Sequence, residues 1–201
     1  MKGNLMAGRV LLSIGLVGSM LVGGWGISAA LEPTDAERMP EVSQDDFNGI
    51  NRAIEMLYSS ISGPAGEQRD VEGFRSILAK DAVLLSMRPS ASSDGGFEPM
   101  RMTPDVYIER AMPMLVRAGF TEKEIGRRLE VYGTIAHAMS AYRGNYSNAA
   151  GEALVVRGVN SIQLVKENGQ WKVISILWDT EWPDGSNPVP DRYISADGEQ
   201  Q

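Results

Sequence analysis

Residues 155–182 read VVRGVNSIQLVKENGQWKVISILWDTEW, two runs of β-branched and aromatic side chains with Asn168-Gly169 between them. Asn-Gly is the strongest short-range signal for a two-residue hairpin, because a type I′ turn needs positive φ at both central positions. With that turn, Glu167 faces Gln170, Leu164 faces Val173, Ile162 faces Ser175, Asn160 faces Leu177 and Gly158 faces Asp179. Side chains alternate across a strand, so one surface collects Leu164, Ile162, Trp171, Val173 and Leu177, with Asn160, Ser175 and Asp179 among them. The other carries Ile174, Ile176, Trp178, Val159 and Val165. Both are too apolar for open water, which places the hairpin mid-sheet with helices over one side.

Working outward, the chain before the hairpin alternates between helical and extended patterns. Ser43 reads as an N-cap with Asp45 and Asp46 in the first turn. Phe47, Ile50, Ile54, Leu57 and Ile61 then recur at helical spacing up to Gly63-Pro64. A second short helix fits 71–79, with Val71, Phe74, Ile77 and Leu78 inward, and 81–87 (DAVLLSM) reads as a strand. The run 90–96 (SASSDGG) is a surface loop, and 97–102 returns as a short strand. Thr103-Pro104-Asp105 opens a third helix with cap, N1 proline and acidic first turn. Pro113 should kink or break it, and Gly119 closes it. Strands at 124–132 and 134–143 precede the hairpin. Residues 183–201 form a polar, proline-punctuated tail, expected to wrap on the surface as far as Tyr193-Ile194.

The start of the chain is a separate matter. Lys2 and Arg9 precede an uncharged run over 10–30, and Ser28 and Ala30 place small side chains where signal peptidase cuts. Residues 1–30 therefore read as a secretory signal peptide, 31–42 as a linker, and the mature protein is expected outside the cytoplasm, periplasmic or secreted. The alternative is an uncleaved anchor, since the run is about as long as a spanning helix needs; its five glycines weaken that helix. Removing Lys2 and Arg9 takes the formal charge from −7 to −9. So acidic a protein, without a basic stripe, is not expected to bind nucleic acid, and no membrane contact is expected beyond the signal segment. With no cysteine, thiolate metal sites, thiol nucleophiles, disulfides and a lipid-modified cysteine are all excluded.

The order helix, helix, strand, short strand, helix, then a long meander ending in G-x-W-x-V resembles the nuclear transport factor 2-like superfamily, specifically its SnoaL-like branch. The residues that carry the likeness, within 43–182, are INRAIEMLYSSI, FRSILAKDAVLL, TPDVYIERAMPML, IAHAMSAYRG and GVNSIQLVKENGQWKVISILWD. The resemblance implies an α+β fold: a strongly curved antiparallel sheet with about three helices packed on its concave side, leaving a cone-shaped pocket. It also implies a homodimer through the convex face, which would account for two apolar hairpin faces. The superfamily hosts isomerases, dehydratases, cyclases, carriers and members without known activity, so function must come from the site.

His137 is the only histidine, so imidazole acid–base chemistry must use it and a histidine-rich metal site is excluded. It reads either as an acid or base inside the cone, or as a satisfied sheet residue or one at the dimer face. Asp179, at the end of an apolar strand, is either a base with raised pKa or a solvated strand end. Asn160, mid-strand among apolar side chains, must find partners: a ligand or a structural hydrogen bond. Ser175 and Leu177 share its expected face, and Tyr142 lies on the strand of His137. Tyr107 and Arg110, three apart on the third helix, can meet a ligand at the pocket mouth. Glu122, Lys123, Glu124, Arg127, Arg128 and Glu130 read as a mixed-charge solvated face. No nucleotide, phosphate, metal or nucleophile-elbow motif is present, and no cofactor is expected. Two functions stand side by side: binding of a small apolar molecule in the cone, or a cofactor-free isomerase, dehydratase or cyclase using His137 with Asp179 or Tyr142.

Overall fold

A computed structural model describes residues 42–90 and 96–194. The expected signal peptide and almost all of the linker lie outside the described residues, as do positions 91–95 of the expected surface loop and the last seven of the tail. In chain order the elements are α1 (Gln44–Ile61), α2 (Val71–Ser76), β1 (Leu78–Pro89), β2 (Phe97–Met102), α3 (Pro104–Arg110), α4 (Met112–Ala118), β3 (Thr121–Tyr132), β4 (Ile135–Ser147), β5 (Ala153–Glu167) and β6 (Gln170–Thr180). A 3-10 turn, Asp191–Tyr193, follows.

Local chemistry sets the helix ends. Ser43 caps α1, its hydroxyl accepting the Asp46 N–H at 3.1 Å, and Thr103 caps α3 by accepting from Val106 N–H at 3.3 Å. The expected third helix is broken where Pro113 forbids continuation: α3 stops at Arg110 and α4 restarts at Met112. Gly119, at φ 63°, ends α4 in the left-handed conformation. Ile50, Ile54, Leu57 and Ile61 form the buried stripe of α1, but Phe47 is 43% exposed and does not join it.

The six strands form one sheet in the order β2-β1-β6-β5-β4-β3. It is mixed rather than wholly antiparallel: β1 runs parallel to β6, because the chain crosses from one edge region to the other through α3, α4 and β3 before the meander returns. The Asn168-Gly169 turn is present with φ 50° and 78°, and Glu167 pairs with Gln170 and Leu164 with Val173 as expected. Beyond that point the pairing departs. A bulge at Ile174 places Gln163 opposite Ser175, Ile162 opposite Ile176, Ser161 opposite Leu177, Asn160 opposite Trp178 and Val159 opposite Asp179.

One extra residue reverses the facing of everything after it. Ile176 and Trp178 join Asn160, Ile162 and Leu164 under the helices; Ser175, Leu177 and Asp179 pass to the opposite side. The expected dimer face bearing Ile176 and Trp178 is therefore corrected: Ile176 is 5% exposed in the main core, with Trp178 packed against that core. A second bulge, at Ile125 between Glu124 and Gly126, does the same to β3. Part of the tail crosses the far side of the sheet, where Val189 packs with Ile125 and Ala141, joined by Val159, Tyr193 and Ile194.

Candidate functional site

Beneath the helices lies a pocket of about 270 Å³, just under the roughly 300–1,000 Å³ usual for drug-sized ligands. Leu57 and Ile61 of α1, Phe74 of α2, Tyr107 of α3, and Ala111 and Leu115 around α4 form its helical wall. The sheet supplies Leu84, Tyr142, Val156, Asn160, Ile176, Trp178 and Thr180, while Phe120 and Glu122 close the β3 side. The apolar lining follows from the stripes on α1 and β6. The polar groups are few: Glu122, Asn160, Thr180 and the two phenols.

Behind the wall runs a chain of hydrogen bonds whose direction can be read. Ser140 Oγ donates to Glu124 Oε1 at 2.5 Å, so its one proton is committed. Tyr58 Oη, 2.6 Å from Ser140 Oγ, must then be the donor in that contact. Tyr58 Oη in turn accepts from Asn160 Nδ2 at 3.1 Å, and the same amide nitrogen donates to Glu122 Oε1 at 3.3 Å. Asn160 thus joins a structural network to the pocket carboxylate, the structural hydrogen bond being one of the two readings open to it from sequence.

Burial is the main influence on the acids here. It raises Glu122 to about 7, with the Asn160 hydrogen bond opposing. Burial also raises Glu124, against the hydrogen bond from Ser140 and the nearby charge of Arg127. The phenols of Tyr58, Tyr107 and Tyr142 are pushed well up by burial, reinforced by the charge of Glu122, and stay protonated. Ser62 fixes the backbone at Glu122, its hydroxyl accepting the Glu122 N–H at 2.8 Å. Glu122 is thus a carboxyl held in an apolar pocket, changing charge near neutral pH.

Of the sequence-predicted residues, Asn160, Tyr107 and Tyr142 are brought together in the pocket wall. Ser175, Leu177 and Asp179 are not, because the Ile174 bulge turns them away. Asp179 Oδ1 accepts the N–H of Thr180 at 2.8 Å, and Leu177 is 39% exposed on the far side. His137 also faces away: Ala136, Ala138, Ser140 and Tyr142 point to the helices, leaving His137 to share a hydrogen bond of 2.9 Å with Ser161 Oγ. His137 and Asp179 therefore cannot act with Tyr142 on one molecule in this pocket. Arg110 is exposed at the end of α3, the position one turn beyond Tyr107 being taken by Ala111.

Sequence reasoning misses Glu122 and Tyr58. It groups Glu122 and Glu124 with their charged neighbours on a solvated face, yet Leu129 and Val131, of opposite parity, pack against the main core. That change of parity around Gly126 is the trace the bulge leaves in the sequence. Among the described residues no group of three or more histidine, cysteine, aspartate or glutamate side chains could hold a metal ion.

No family model and no curated protein matches this chain. Solved structures do. A variant of Rv3472, a protein of unknown function from Mycobacterium tuberculosis, aligns at TM-score 0.54 and 19% identity, over 77% of this chain and 83% of that one. A candidate calcium/calmodulin-dependent protein kinase II association domain from Xanthomonas campestris gives 0.51 and 16%, over 73% and 94%. An uncharacterised protein with a cystatin-like fold from Caulobacter vibrioides gives 0.51 and 14%, over 70% and 93%. At these identities the likeness is one of fold, the α+β architecture of a helix-covered sheet expected from the sequence.

Proposed function

We propose that this is an exported protein that binds a small, mainly apolar molecule in the pocket beneath its helices. One observation carries the reading: residues from every α-helix and from every strand but β2 converge on about 270 Å³ of space, and almost all of them are apolar or aromatic. Such a space with one carboxyl and one amide in its wall suits a ligand held by shape and oriented by a single polar group. Export rests on the N-terminal pattern, and the mass of protein recovered from its native host tests it; retention of residues 1–30 would overturn it. Binding is tested by magnetic resonance titration with a panel of small neutral compounds such as indane, cyclohexanol and 2-phenylethanol. Shifts at Tyr107, Tyr142 and Asn160, lost in the pocket-filling Ala111→Trp, are expected. Absence of any such shift would overturn the reading.

Acid–base catalysis is the second reading, and the placement of Glu122 favours a changed cast for it. Glu122, titrating at about 7, is suited to take up a proton, with the protonated Tyr142 phenol on the neighbouring strand as a hydrogen-bond donor to the substrate oxygen; His137 and Asp179 have no part. Deuterium exchange from solvent into a bound carbonyl compound, abolished by Glu122→Gln, is the expected signature.

A further inference from the structure

The pocket is chemically one-sided. Rings from Phe74, Tyr107, Phe120, Tyr142 and Trp178 line it together with the Glu122 carboxyl, and no lysine, arginine or histidine is in the lining. Glu122 Oε1 has the Asn160 amide; among the described residues Oε2 has no hydrogen-bond partner. The surrounding elements supply no counter-charge. From α1 come the Tyr58 phenol and the Ser62 hydroxyl, from α3 the Tyr107 phenol, from β4 Tyr142 and from β5 Asn160. On β3 itself Glu124 is engaged by Ser140, and Arg127 is held by Glu124 and Asn51. From β6 only Thr180 is polar on this side, Asp179 facing away. Arg69, behind the pocket rim, donates to the carbonyls of Ile61, Gly63, Glu67, Leu115 and others.

Resting on the binding reading above, we infer that the pocket takes a small lipophilic amine, its ammonium group set against Glu122 Oε2 and the aromatic faces. A carboxylate withdrawn from water without a cation is unfavourable, and an arriving ammonium supplies both the missing charge and the missing donors. Aromatic faces are electron-rich and attract the same cation. A neutral alcohol of the same shape gains a hydrogen bond but leaves the charge uncompensated. A carboxylate ligand meets Glu122 with like charge and finds no cation. Because Glu122 titrates at about 7 when alone, amine binding should strengthen as pH rises through that value, while alcohol binding should not.

Calorimetric titration with 2-phenylethylamine, 2-phenylethanol and phenylacetate, at about pH 8 and about pH 5.5, tests this on the full chain. The amine is expected to bind about tenfold or more tighter than the alcohol at the higher pH. At the lower pH the gap should shrink to within about threefold, and phenylacetate should be the weakest throughout. Glu122→Gln should remove the preference for amine over alcohol. Alcohol binding equal to or tighter than amine at pH 8, or an amine preference that survives in Glu122→Gln, overturns the inference and leaves the binding function standing. If none of these probes and none of the neutral panel binds, both fall. The ranking of probes on the unmutated protein does not depend on how the variant folds.

Discussion

Glu122 shows how one side chain couples pocket chemistry to stability. Its carboxyl titrates at about 4.5 when unfolded and about 7 in the fold, because burial disfavours the charge. Between those values the folded state holds the proton more tightly. The associated stability is fully present below about pH 4.5 and is lost as pH rises through 7, on the order of 3 kcal/mol in all. Glu122→Gln cannot ionise, so denaturant titrations from pH 5 to pH 8 should show a flatter profile and a variant more stable than the parent at the alkaline end. A parallel profile would mean that Glu122 is not buried as described. Tyr58→Phe bears on the neighbouring network: it leaves the Ser140 hydroxyl without its donor and takes from the Asn160 amide one of its two acceptors, Glu122 Oε1 remaining. A loss of about 1–3 kcal/mol in chemical denaturation is expected.

At the level of elements, two bulged residues decide which side chains meet. The hairpin turn, the helix caps and the Pro113 break are legible in the sequence, since each depends on chemistry within a few residues. Ile174 is not legible as a bulge, because a strand's alternation is read by parity and nothing in a β-branched run announces an extra residue, whereas at Ile125 the change of parity around Gly126 is the one trace. Hence parity puts Asn160, on the unbulged strand, on the correct face, and puts Ser175, Leu177 and Asp179, beyond Ile174, on the wrong one. Deleting Ile174 takes out the extra residue itself, so Ser175 follows Val173 in a regular strand and Ile176 and Trp178 should keep their inward facing. Arg69 is a second device that pattern reading does not find. It is 6% exposed and ties the turn after α1 to the end of α4 and the start of β3 by donating to their carbonyls. A lysine has three donors on one nitrogen and cannot reproduce that planar fork. Arg69→Lys should therefore be almost as damaging as Arg69→Met, each costing about 2–4 kcal/mol by denaturant unfolding. Recovery of most of the stability by lysine would show that charge, rather than the shape of the fork, matters there.

For the whole molecule, the far side of the sheet poses the question of assembly. The resemblance implies a dimer through that side, and the bulge changes which residues such a contact would use. Ile176 packs under the helices, so Ile176→Glu would place an unpaired carboxylate in the main core and should yield unfolded protein at neutral pH rather than a folded monomer. Leu177 is the residue that faces outward there, 39% exposed, beside a groove lined also by Met87, Met139, Val159 and Ser161 and bounded by Pro188, Val189 and Pro190 of the tail. The tail already covers Ile125 and Ala141, which leaves the β6 side of the face for a second copy. If the protein pairs through it, Leu177→Glu should stay folded, with an unchanged circular dichroism spectrum, and should sediment at half the mass of the parent. Sedimentation of the parent as a monomer would end the dimer proposal. A dimer unaffected by Leu177→Glu would move the contact elsewhere on the surface. The pocket opens on the opposite side of the sheet from Leu177, so ligand affinity in that variant should match the parent's, and a large loss would mean that pairing shapes the pocket as well.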